Sequence, residues 1–61
     1  MTLRLLLDTD NAAFGDAPET EIARIFRSAA DAIEQEGAEP GRIYRLRDYN
    51  GNMVGHIDIT D

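Results

Sequence analysis

The 61-residue chain has no cysteine, no tryptophan and no lysine, and it has a single histidine and a single serine. Without cysteine, disulfides and thiolate zinc sites are excluded. His56 cannot build a metal site alone, so neither a metal nor a cofactor is expected. The list of nucleophiles is nearly empty, and Ser28 sits inside a helical pattern. Long apolar runs are also missing. Leu3 and Leu5–Leu7 form a short patch, interrupted by Arg4 and closed by Asp8, too short for a signal-peptide core or a membrane span. A cytoplasmic protein that is not an enzyme is the resulting expectation.

Basic charge is scarce. Six arginines face twelve acids, for a formal net charge of -6. That disfavours direct nucleic-acid binding, which needs clustered Lys and Arg, and suits association with a basic partner surface. Residues 1–40 carry nine of the acids against Arg4, Arg24 and Arg27, whereas the remainder is balanced. A chain this short buries roughly 60% of its unfolded surface. With no staple available, self-association is its natural reserve of stability, and a homodimer is expected.

Residues 2–8 alternate Leu3, Leu5 and Leu7 with Arg4, Leu6 and Asp8, the period of a strand. Residues 9–16 read as a loop rich in Asp, Asn and Gly, with Phe14 folding back as a lid on the core. Asp16 is positioned to cap a helix over about residues 17–36, with Pro18 in the first turn and Gly37 at the end. Ile22, Ile25, Phe26, Ala29 and Ile33 form its apolar stripe. Glu21–Arg24 and Arg27–Asp31 are expected as surface pairs.

Asn50-Gly51 signals a hairpin with a two-residue type I′ turn. That turn pairs Tyr49 with Asn52, then Leu46 with Gly55, Tyr44 with Ile57 and Arg42 with Ile59 on one face. The other face pairs Arg47 with Val54, Arg45 with His56 and Ile43 with Asp58. Alternation independently places Tyr44, Leu46, Ile57 and Ile59 inward. The expected fold is a single α+β domain, βαββ, over residues 1–61, with one helix on a three-stranded sheet. A right-handed crossover makes the first two strands parallel. The third inserts between them in order 1-3-2, with 1-2-3 as the alternative.

Three surfaces are candidates for binding. The open sheet face carries Leu6, Ile43, Arg45, Arg47, Val54 and His56, a mixture of apolar and arginine side chains typical of protein interfaces. The acids Asp8, Asp10, Asp16, Glu19 and Glu21 cluster around the first loop and helix start, where they either meet an arginine-rich partner or serve capping and solubility. Tyr49, Asn50 and Asn52 form a candidate recognition knob at the hairpin tip. Asp8-Thr9-Asp10-Asn11 opens like a calcium loop, but Ala12 stands where a third oxygen ligand belongs.

Two stretches carry a family resemblance. They are Asp10-Asn11-Ala12-Ala13-Phe14 with the helix containing Glu21-Ile22-Ala23-Arg24-Ile25, and Leu46-Arg47-Asp48-Tyr49-Asn50-Gly51-Asn52-Met53-Val54-Gly55. Together they resemble small acidic proteins of tailed phages and prophages, over most of the chain and in order. These motifs are structural, so the resemblance carries no active site. It implies expression inside a bacterial host. By analogy of size, charge and source it points to an inhibitor of host defence, such as an anti-CRISPR protein that binds a CRISPR effector or another defence subunit. The alternative is a self-associating structural or regulatory phage module.

Overall fold

The computed structural model describes residues 1–61. Strand β1 (Thr2–Leu7) leads through a short 3-10 turn (Ala12–Phe14) into helix α1 (Pro18–Glu36), followed by β2 (Ile43–Arg47) and β3 (Met53–Thr60). The sheet order is β1-β3-β2, and β3 pairs antiparallel with both neighbours. The expected βαββ arrangement and strand order therefore hold.

Helix α1 starts and stops for local reasons. Pro18 occupies the first turn, where a missing N–H costs nothing. Asp16 does not cap it: the N-cap is Ala17, with no side-chain bond to the helix. At the other end Gly37 adopts φ 108°, a region that a Cβ disfavours, and its N–H donates to the Ile33 carbonyl at 2.8 Å. The Tyr44 hydroxyl donates to the Gly37 carbonyl, so the helix end is tied to β2.

The core lies between α1, the 3-10 turn and the β2–β3 hairpin. It comprises Ala13, Phe14, Ile25, Ala29, Tyr44, Leu46, Val54, Ile57 and Ile59. Phe14 closes it as expected. The helix sits toward β2 rather than centrally. Arg24, on one flank of α1, donates from Nη2 to the Arg47 carbonyl of β2 at 3.1 Å. Phe26 is two residues on and so lies on the opposite flank. It is 49% exposed instead of completing the stripe. On the same layer Leu3 and Leu5, opposite the buried Ile59 and Ile57, stay 49% and 37% exposed because the helix does not cover β1.

The hairpin departs from its expected tip in two places. Gly51 N–H donates to the Asp48 carbonyl at 3.0 Å, and Asp48 N–H to the Asn52 carbonyl at 2.9 Å. The loop is thus three residues, Tyr49–Gly51, with Gly51 at φ 87°. This is a turn closed by a left-handed glycine rather than a type I′ turn. Arg47 accordingly pairs with Met53, not Val54. A bulge between Leu46 and Arg47 then restores Leu46↔Gly55, Arg45↔His56, Tyr44↔Ile57 and Ile43↔Asp58 as expected. Val54 is the extra residue. It is 8% exposed and part of the core cluster, and it also lines a depression beside Leu6 and His56.

At the same point β1 and β3 approach closely. A Cβ on Gly55 would lie 2.0 Å from the Leu6 carbonyl oxygen, a backbone atom that cannot swing aside. Gly55→Ala is expected to force β1 outward and to cost about 2 kcal/mol or more. The urea midpoint of the purified variant measures this, and an unchanged midpoint refutes the close approach.

Candidate functional site

Two carboxylates that the chain turns inward organise one end of the molecule. Glu21 is 6% exposed and Asp48 4%. Asp48 stands two residues before Asn50, and its Oδ1 accepts the backbone N–H groups of Asn50 and Asn52, each at 2.9 Å. Its Oδ2 accepts from Asn11 Nδ2 at 2.9 Å and Asn52 Nδ2 at 3.3 Å. Asn11 in turn uses Oδ1 to accept the Ala13 N–H at 2.8 Å, which caps the 3-10 turn. Glu21 receives a forked pair from Arg24, Nε at 2.7 Å and Nη2 at 2.9 Å, and the Tyr49 N–H at 2.8 Å.

The electrostatics follow from these donors. The Arg24 guanidinium holds the Glu21 carboxyl below its ordinary range, against an opposing push from burial and with help from the Tyr49 N–H. Burial alone would raise Asp48. The donors from Asn52, Asn11 and Asn50 outweigh it, and the net direction is down. Both groups are therefore internal anions with their lone pairs already engaged. Glu21 was expected in an exposed acidic patch and in a surface ion pair; the pair forms, but with the carboxylate buried and Arg24 left 46% exposed.

The other acids of that patch divide. Asp16 lies near Tyr49 beside the helix start, and Glu19 borders the exposed flank of α1 near Phe26. Asp8 and Asp10 instead join the outer sheet face. Together with Leu6, Asn11, Met53 and His56 they line an open depression where β1 runs into the first loop. Leu6 is 64% exposed and Met53 59%. The Asp8 Oδ1 accepts the Asp10 N–H at 2.9 Å, which sets the bend of the loop. Two surfaces that look separate along the sequence thus converge on one site of mixed acidic and apolar character.

Ile43, Arg45 and Arg47 are exposed on β2, as expected of the open face. Arg47 Nη1 reaches the Gly51 carbonyl at 3.2 Å. At the tip, the Tyr49 side chain is exposed, whereas Asn52 is directed to Asp48 and serves the loop. Met53 and Asp48 were not singled out from the sequence. An Asp ahead of Asn-Gly is the available signal for Asp48, since Asp favours the first position of such turns.

Comparison with known proteins returns no match among family models, curated proteins or solved structures.

Glu21 and Asp48 give stability a definite acid dependence. Their folded pKa values lie below the unfolded ones, so the unfolded chain binds more protons in the acid range. Their contribution is fully present above about pH 4 and is lost as pH falls through the folded values. Glu39, held down by Arg42, adds a component of the same sign. Urea midpoints measured from neutral to acid pH should fall steeply for the wild type. They should fall less steeply for Glu21→Gln with Asp48→Asn; equal slopes contradict this assignment.

Proposed function

We propose that this is a non-enzymatic phage-type protein acting inside a bacterial host cell by binding another protein. In its most specific form it inhibits a host-defence complex, in the manner of an anti-CRISPR protein. The observation that carries the reading is the depression in which Asp8 and Asp10 adjoin exposed Leu6 and Met53. A partner that fits it offers arginine or lysine beside apolar surface. Surfaces that receive nucleic acid have that character, and an acidic protein seated there blocks access without doing chemistry.

The net charge of -6 favours fast, steered encounter with such a partner. No helix is long and apolar enough to cross a membrane. The resemblance to small acidic phage proteins supplies the biological setting, and the residue chemistry supplies no nucleophile arrangement that argues for a reaction.

The test uses positions that leave the fold intact. Asp10 and Met53 are exposed and bear no side-chain hydrogen bond. The tagged protein is expected to retain a defence-complex subunit from a CRISPR-active host lysate, with retention weakening as salt rises. Asp10→Lys with Met53→Glu should reduce the affinity for that purified subunit by about tenfold or more. Equal affinity of variant and wild type removes the depression as the binding surface.

A further inference from the structure

The two edges of the sheet are protected unequally. The β2 edge is five residues long, carries Arg45 and Arg47, and lies beside the bulge at Leu46/Arg47. Such features discourage strand addition. The β1 edge has no proline and no bulge, and Arg4 is its only charge within Thr2–Leu7. Asp8 N–H donates to the Val54 carbonyl at 2.8 Å, so the even-numbered residues of β1 bond to β3. The N–H and C=O groups of Leu3, Leu5 and Leu7 therefore face the open edge. Leu3, Leu5 and Leu6 are also exposed, and Phe26 stands unpartnered on the flank of α1 away from β2.

We propose that β1 pairs antiparallel with β1 of a second copy of this chain, about a twofold axis at Leu6, forming a continuous six-stranded sheet. The strand is self-complementary about that point. Leu6 meets Leu6 of the second copy, Leu5 meets Leu7, and Arg4 meets Asp8. Leu5 and Leu7 form the hydrogen-bonded pairs, using the free edge groups. Leu6, Arg4 and Asp8 fall in the non-bonded pairs, where side chains approach most closely. Arg4 makes no ion pair within its own chain.

Other registers that keep the edge hydrogen bonds lack this match. Centring on Arg4 sets two arginines face to face. Centring on Leu5 sets Arg4 against Leu6 and leaves Asp8 opposite Thr2. In the proposed register both helices lie on one side of the joined sheet, and the uncovered Leu3, Leu5 and Phe26 of each copy flank the axis. The pairing is isologous, so it closes at two copies. It goes beyond the binding reading and does not rest on it: Leu6 and Asp8 are shared with the depression, whereas Asp10 and Met53 lie outside the paired stretch Arg4–Asp8.

Sedimentation equilibrium is the test, since the monomer is 6.8 kDa and the dimer twice that. The wild type should be dimeric. Leu6→Lys, at an exposed position, should be monomeric with an unchanged circular dichroism spectrum. Arg4→Asp or Asp8→Arg alone should weaken the dimer about tenfold or more, and the two together should restore it. A monomeric wild type overturns the proposal, as does a Leu6→Lys dimer. If the double swap fails to recover association while the chain remains folded, the register is wrong.

Discussion

The Asp48 carboxylate is the constraint on which the rest of the molecule depends. It gathers donors from the hairpin tip and, through Asn11, from the first loop. Glu21 does the same between the helix start and Tyr49. A two-layer body of one helix and three strands has a single small core to align its parts. Here two anions with their lone pairs satisfied perform that alignment. None of the buried side-chain polar atoms is left without a partner, which is what allows charge to sit inside so small a body.

That arrangement also determines what remains outside. Arg24 ties α1 to the Arg47 carbonyl, on the β2 side of the sheet. The β1 side of the inner face is then left open, and the first loop is held where Asp8 and Asp10 border Leu6 and Met53. Two exposed features remain, a bare strand edge and an acidic and apolar depression that adjoins the network through Asn11.

Much of the fold was legible because independent rules agreed. The alternation of Tyr44, Leu46, Ile57 and Ile59 and the hairpin register named the same inward residues, and these are buried. A parallel β1 and β2 left the orders β1-β3-β2, which was expected, and β1-β2-β3, and the structure has the first. What could not be read were deviations that cancel or that depend on tertiary placement. Val54 is buried where simple alternation leaves it exposed, because a bulge compensates a longer turn, and periodicity is blind to that. Phe26 fits the helical stripe, yet the stripe is wider than the part of the sheet that the helix reaches. Glu21 looks like any first-turn acid until Tyr49 and Arg24 are brought beside it. The candidate site was half legible: its residues were named, but their convergence required the strand and loop to meet in space.

The bulge at Val54 has a bearing on how this chain tolerates insertions and deletions. Shortening the Tyr49–Gly51 loop by one residue, with the bulge kept, leaves Met53 and Arg47 out of step with the sheet below them. Removing the bulge alone does the same from the other side. A one-residue slip exchanges the faces of every side chain beyond it. Length changes in this hairpin are therefore accommodated in pairs, one at the tip and one at the bulge, and a lone indel there displaces Asp48 from the donors it organises.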